Sequence, residues 1–237
     1  MRNLIAIILC ALTLTTASAA DFFSTDKSET LFNFGARLGV NTTNRTIKNT
    51  AFPACYNHES WGTGFDLGVV ASINFRDYLA IQPGFFFESR SGSYTLLGTR
   101  AASMIYDDGS EIAQAGRRNS YNFTIPVVAV LGFNVTDDIR WNVEGGPYVA
   151  FVLASKLRDK HFVVNGPSTE PLFSQKAAPV DFGFKLGTAL RLFGHYYFGV
   201  HYMAGCVSAW TDQKFETFTK SYGGCTKGWI FSIGYDL

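Results

Sequence analysis

Eight stretches of this chain alternate between two kinds of side chain, and the apolar side of every stretch carries no charge. In residues 31–41, Phe32, Phe34, Ala36, Leu38 and Val40 share one side, against Asn33, Gly35, Arg37, Gly39 and Asn41. A period of two is the spacing of a β-strand. The same pattern runs through 64–75 (Phe65 to Phe75), 79–90 (Leu79 to Ser89), 121–133 (Tyr121 to Phe133) and 141–153 (Trp141 to Leu153). It continues through 180–191 (Val180 to Leu190), 196–205 (Tyr196 to Ala204) and the end of the chain (Trp229 to Leu237). A soluble sheet buries its apolar face and shows its charges. Here glycine, small polar residues and nearly all in-strand charge lie on the opposite side. A sheet closed on itself in lipid has that pattern, because every backbone group is paired and the outer face meets hydrocarbon.

The connections support closure. Arg76–Tyr78, Asn134–Arg140 and Leu192–His195 are tight, whereas 42–63, 91–120, 154–179 and 206–228 are long. Short turns on one rim and long loops on the other are expected of an outer-membrane barrel, with both termini on the periplasmic side. The segment 91–120 has room for an extra hairpin turning at Asp107-Asp108-Gly109. Three prolines, Pro83, Pro126 and Pro147, fall inside expected strands, where each removes a ladder donor. Bulges at these positions are the expected accommodation.

The inward sides bring together Arg37, Arg90, Lys185 and Arg191 against Asp66, Glu88, Glu144, Asp181 and Asp236. Turning one such cation toward mid-bilayer lipid would cost about 2–4 kcal/mol. Eight strands leave an interior that side chains can fill. The expectation is a plugged lumen of paired charges, with inward glycines leaving room for the long side chains. His201 is expected to bond Asp236 or Glu144 there.

The ends fit export. Arg2, the apolar run Leu4–Leu14 and the small residues Ala17-Ser18-Ala19 read as a signal peptide of residues 1–20, cleaved near Ala19 or Ala20. Residues 21–30 then form a periplasmic N-terminal segment and 31–237 the barrel. Of the cysteines, Cys206 and Cys225 flank one expected loop and could bridge in an oxidising compartment, leaving Cys55 as a thiol. The net charge of +1 gives no electrostatic case for nucleic acid. Aromatic content of 16%, with 22 Phe, and 23 Gly favours strand over helix.

Several stretches resemble a known family. Phe34-Gly-Ala-Arg-Leu-Gly-Val-Asn41, Gly64-Phe-Asp-Leu-Gly-Val-Val70, Ala80-Ile-Gln-Pro-Gly-Phe85, Ile125-Pro126-Val127, Gly145-Gly146-Pro147-Tyr148 and Asp181-Phe-Gly-Phe-Lys-Leu-Gly187 are similar to strands of the porin-like outer-membrane β-barrel family of Bacteroidetes-type bacteria. The resemblance covers about residues 31–237 and implies an all-β, eight-stranded antiparallel transmembrane barrel. It carries no catalytic residues over. The last strand ends in Leu237, where an aromatic residue is more usual, although Phe231 and Tyr235 keep the alternation.

Chemistry is thin. A lipid-modifying enzyme would need a Ser nucleophile, a His base and an acid at the outer rim. His58 with Ser60, and His161 with Ser155 and Ser168, supply the residue types without a nucleophile motif, and His195 falls in a periplasmic turn. Solvated histidines are expected instead. Asp107, Asp108 and Glu111 lack the spacing of a calcium loop. Trp61, Tyr121 and Trp229 are expected in an outer aromatic belt, and Trp141, Tyr196 and Tyr235 in an inner one. Trp61 and Trp210 are the alternative candidates for a carbohydrate platform.

The reading is therefore a monomeric integral outer-membrane barrel, structural or porin-like. It has no catalytic, cofactor-binding or metal-ligating residues and no cofactor. Its partners are outer-membrane lipid and, through the C-terminal strand, the barrel-assembly machinery. The alternative is a surface binding or adhesion protein using its outer loops on an unknown extracellular ligand. A lipid-modifying enzyme is the remote third.

Overall fold

The computed structural model describes residues 24–28, 30–45, 48–49, 56–99, 111–164, 178–207, 213–214, 219–220 and 222–237. Its strands are β1 (Phe32–Arg45), β2 (Lys48–Asn49), β3 (Tyr56–Arg76), β4 (Leu79–Thr99), β5 (Glu111–Thr136), β6 (Ile139–Val164), β7 (Val180–Leu192), β8 (Tyr196–Gly205), β9 (Gln213–Lys214), β10 (Thr219–Lys220), β11 (Tyr222–Gly223) and β12 (Thr226–Asp236). Eight of them close into an antiparallel barrel in the order β1-β12-β8-β7-β6-β5-β4-β3. Strand β1 completes the ring by pairing on both sides, with Leu38 opposite Leu67 of β3 and Ile233 of β12. The short strands pair as β9 with β10 and β2 with β11.

The expected faces are observed. Phe34, Leu38, Val40, Leu67, Val69, Phe85, Val127, Leu186, Phe198 and Ile233 are exposed on the outside. Arg37, Asp66, Glu88, Arg90, Glu144, Asp181, His201 and Asp236 are buried inside. A sheet in water would have these two sets reversed, so the exposed face is solvated by hydrocarbon. An outward hydroxyl is still satisfied: Thr188 donates to Asn142 O (2.9 Å) and accepts from the Trp141 indole (2.5 Å). Apolar lumen side chains also pack together, in a cluster of Tyr148, Ala150, Met203 and Ile230.

The tight end is tighter than expected. Strands β3 and β4 are joined by Asp77-Tyr78, and β5 and β6 by Asp137-Asp138. Between β7 and β8, Phe193 and Gly194 take positive φ values of 51° and 75°. Gly194 suits the left-handed position, while Phe193 tolerates it only because the turn enforces it. Arg140 bonds the Asp77 carboxylate (3.1 Å) and its carbonyl, and Asn134 reaches the same carboxylate (3.3 Å). The N-terminal segment lies along this rim, with Asp77 N donating to Asp26 O (3.0 Å) and Asn74 Nδ2 to Thr30 O (2.9 Å).

Three expectations change. First, the stretches 42–63, 91–120 and 154–179 are not loops throughout. Strands β3, β4, β5 and β6 run on to 21, 21, 26 and 26 residues, whereas about 9–11 cross a bilayer. The hairpin expected within 91–120 is the direct continuation of β4 and β5, paired out to Thr99 opposite Glu111. Its turn at Asp107-Asp108-Gly109 lies outside the described residues. Beyond the lipid no face must be apolar, so the alternation fades from the sequence while the ladder persists.

Second, the prolines do not sit at bulges. Register shifts occur between Trp61 and Asp66 and between Asn74 and Arg76 on β3, and between Tyr121 and Asn122 and between Asn134 and Thr136 on β5. At the prolines, pairing lapses and resumes in unchanged register. It skips from Pro83↔Val127 to Phe86↔Thr124, and from Pro126↔Tyr148 to Ala129↔Gly145. A missing N–H removes single ladder bonds but inserts no residue, so neighbouring pairs hold the register. Third, the Cys206–Cys225 bridge that the sequence leaves open is not formed, and Cys206 is an exposed free thiol. Cys55 lies outside the described residues.

Candidate functional site

Two places could carry function: the lumen and the rim opposite the short turns. The lumen is built from inward positions that the register stacks into charged layers. Near the short turns, Asp236 of β12 meets Arg37 of β1 (2.7 Å) and Arg191 of β7 (2.9 Å). The Arg37 guanidinium lies 3.8 Å over the Tyr197 ring. Tyr197 donates to Glu144 Oε2 (2.9 Å), and His201 Nε2 shares that oxygen (2.8 Å). Of the two partners expected for His201, the structure thus selects Glu144.

The next layer centres on Arg90 of β4. It forms ion pairs with Glu88 (2.7 Å) and Asp181 (2.8 Å) and donates to Thr124 Oγ1 (3.2 Å). Tyr148 donates to the same Asp181 oxygen (3.2 Å). Planar guanidinium groups suit such multiple pairing, and each partner would be costly to bury alone. Lys185 holds its ammonium 5.2 Å over the Phe86 ring. Asp66 differs from the other lumen carboxylates. It is 2% exposed, and neither of its oxygens has a hydrogen-bond partner among the described residues.

Two more lumen cations, Arg45 and Arg118, fall in the stretches 42–63 and 91–120, where the sequence alternation does not reach. Arg118 is buried on β5 and donates to Ser155 Oγ (3.1 Å), and Arg45 on β1 donates to Ser120 Oγ (2.9 Å). Both keep the inward parity of their strands, Arg45 with Arg37 and Arg118 with Asn122, so extending the alternation would have found them. Below them, a lumen cavity bordered by Arg37, Phe86, Glu144, Lys185 and His201 measures about 20 Å³. That holds about one water, far from a continuous channel.

The histidines and serines expected at the rim are strand positions. His58 and Ser60 lie on β3 opposite Thr95 and Ser93, and His161 lies on β6 opposite Gln114. Ser155 accepts from Arg118, and Ser168 and Trp210 lie outside the described residues. His195 stacks on Tyr235 at 5.3 Å, and its Nδ1 lies 2.8 Å from Asp236 O at the short-turn end. No group of three His, Cys, Asp or Glu is placed to hold a metal ion among the described residues.

The belt aromatics are all exposed on the outer face: Trp61, Tyr121 and Trp229 toward one rim, Trp141, Tyr196 and Tyr235 toward the other. On β5, Tyr121 and Phe133 are separated by about 30 Å along the barrel axis at ~3.4 Å per residue and ~40° tilt. That matches a hydrocarbon core about 30 Å thick.

No curated protein sequence matches the chain. Among solved structures it is similar to the outer membrane protein OprG of Pseudomonas aeruginosa, at 12% identity over 86% of this chain and 95% of that one, with a TM-score of 0.44. It is similar to the outer membrane protein AlkL, solved in lipid bilayers, at 13% identity over 91% and 95%, with a TM-score of 0.41. It is also similar to Ail, the attachment invasion locus protein of Yersinia pestis, at 11% identity over 88% and 100%, with a TM-score of 0.38. None of these findings carries the Bacteroidetes-type lineage of the resemblance. A family model described as an outer membrane protein beta-barrel domain matches residues 22–205, well over half of the sequence, and the chain belongs to that family.

Proposed function

We propose that this protein is a structural outer-membrane barrel whose lumen is closed to solutes, with its short turns in the periplasm and its long strands projecting outward. The observation that carries this reading is the Arg90 knot, which joins Glu88, Asp181 and Thr124 across the lumen. The small cavity beside the Tyr197–Glu144–His201 chain supports it. Opening a path would require separating several buried charges together, and breaking one such pair alone costs about 3–5 kcal/mol. In a planar bilayer the purified protein should give no conductance steps or only small, brief ones. Large, long-lived steps would end the proposal.

A second reading, surface binding, is favoured by the length of β3 to β6. Their outer halves form a sheet standing beyond the belt. Trimming both the β3–β4 and β5–β6 extensions while keeping a heat-modifiable barrel should then abolish capture of the ligand. Lipid modification stays the remote third reading; of its candidate nucleophiles, Ser155 is engaged by Arg118. Outer-membrane lipid profiles are expected to be unchanged by the protein. The export signal in residues 1–20, a monomeric state and engagement of the assembly machinery through Phe231–Leu237 complete the proposal.

A further inference from the structure

Two cysteines are set opposite one another by the register of the wall. The last pair joining β12 to β8 is Lys227 with Ala204. Two further steps of that register bring Thr226 to Gly205 and Cys225 to Cys206. The chains stay together over the first step: a Cβ built on Gly205 would stand 3.1 Å from Thr226 N. Parity then puts both thiols on the same side of the sheet. Cys206 continues the outward series Phe198, Val200, Tyr202 and Ala204, and Cys225 continues Phe231, Trp229 and Lys227. A shift of one residue in either strand would turn its thiol to the lumen side.

The backbone hydrogen bonds identify the kind of pair. Cys206 N donates to Phe182 O of β7 (2.7 Å), whereas Asp236 N of β12 donates to His195 O (2.8 Å). Backbone groups along β8 therefore turn to β12 at odd positions and to β7 at even ones. Cys206 is at an even position, so its pair with Cys225 is of the non-hydrogen-bonded kind, with Cα atoms about 4.5 Å apart and side chains close. Bridged cysteines have Cα separations of about 4.4–6.8 Å. Immediately before Cys225, Gly224 takes a φ of 153°, a conformation that a side chain would resist. The chain leaves the wall there, and β11 pairs with β2. The two cysteines thus stand at the base of the segment 207–224.

We propose that Cys206 and Cys225 form a redox-closed staple at this rim, open in this structure and shut by thiol–disulfide exchange. Cys206 is exposed and Cys225 half-buried, so Cys206 meets the oxidant first. Its thiolate attacks one sulfur of a small disulfide such as oxidised glutathione, forming a mixed disulfide and releasing one thiol. The Cys225 thiolate then attacks Cys206 Sγ, forming the Sγ–Sγ bond and releasing the second thiol. Two electrons pass from the cysteine pair to the oxidant, and two protons end on the released thiols. Height leaves the site open to such a reagent. Cys225 lies four residues beyond Trp229, which is about 10 Å at ~3.4 Å per residue and ~40° tilt. The headgroup layer is only about 5–8 Å deep on each side of a bilayer.

The test uses the protein purified from membranes in detergent, reduced, then equilibrated with reduced and oxidised glutathione at about 1 mM each and alkylated. Peptide mass spectrometry after trypsin should find residues 192–214 joined to 221–227. The link should exceed glutathione adducts at either cysteine at least about tenfold, because an opposed thiol presents an effective concentration far above millimolar. C55S should keep the link. C225S/T226C moves one thiol by a single residue to the lumen side and should lower the link at least about tenfold. If that variant fails the heat-modifiability check for folding, C206S/C225S/A204C/K227C replaces it as the register control. That outward pair of the same kind, two residues nearer the lipid, should bridge as readily as the natural one, and its failure overturns the register argument. Glutathione adducts without the link in the wild type overturn the proposal. So does a bridge from Cys55 to either cysteine, and so does equal linking in C225S/T226C, which would make the contact a chance encounter of mobile ends. No readout depends on conduction or on orientation, so a failure here is separate from a failure of the closed-lumen reading.

Discussion

The lumen and the projecting sheet are made from the same strands but held together differently. Inside the barrel, β4 contributes Glu88 and Arg90, both buried and tied to β5 and β7 through Thr124 and Asp181. The next residue, Ser91, is buried as well but turns its Oγ to the neighbouring strand only, to Arg117 and Asn119 of β5. The lumen half is closed by long-range contacts across the barrel. Beyond Phe151, β6 pairs with β5 on one side only among the described residues, apart from Val152 N to Pro179 O (2.8 Å). Stability should therefore reside in the lumen, and the projecting sheet should tolerate change.

The sharpest way to break this contrast is R90M. It leaves Glu88 and Asp181 buried without their shared cation, so unfolding by urea from lipid vesicles should show a loss of about 3–5 kcal/mol. The compensated variant R90M/E88L/D181L should recover most of that, because replacing a whole buried ion cluster by apolar groups is often neutral. If R90M costs less than R117Q/K156Q on the exposed face, the lumen is not the seat of stability.

Tyr197→Phe removes a single hydroxyl from the chain that joins Arg37, Glu144 and His201. Glu144 keeps His201 but loses one donor, and a hydrogen bond to a charged acceptor contributes about 1.5–3 kcal/mol. The same urea midpoint measurement reads it. A null result would mean that His201 alone satisfies Glu144.

Asp66→Asn tests the lumen from the other side. Because neither Asp66 oxygen has a described partner, its charge should be a burden rather than a support. The variant should be unchanged or more stable by about 1 kcal/mol, within the range seen when unpaired buried polarity is relieved. A loss as large as that of R90M would show that Asp66 is tied to a group beyond the described residues.

How far the sequence discloses these features depends on the solvent that each residue meets. In the bilayer, lipid forbids outward charge, so the side each residue faces can be read one by one from Phe32 to Leu237. Lumen pairs such as Arg37 with Asp236 follow in kind, because inward cations must meet inward anions, but the partner of His201 needed three-dimensional register. Beyond the belt nothing forbids either face, and strands such as β5 from Glu111 to Ser120 read as loop. Single-residue bulges are the least legible feature. Leu153 looks like any outward apolar residue, yet it is the one left over where Asn122 pairs with Val152 and Tyr121 with Ala154, and it sets the side on which Lys156 stands. The prolines are ambiguous for a related reason: removing an N–H and inserting a residue both interrupt a ladder, but only the second shifts a register.

The smallest effect is the most pointed test of the contrast. R117Q/K156Q alters two exposed side chains on the projecting sheet, so in vesicles of phosphatidylcholine alone its unfolding free energy should stay within about 0.5 kcal/mol of wild type. A variant destabilised in plain phosphatidylcholine would place these cations among the supports of the fold. One that is neutral there leaves the wall held up from within, by buried pairs such as Arg90 with Asp181, and not by the charges on its projecting face.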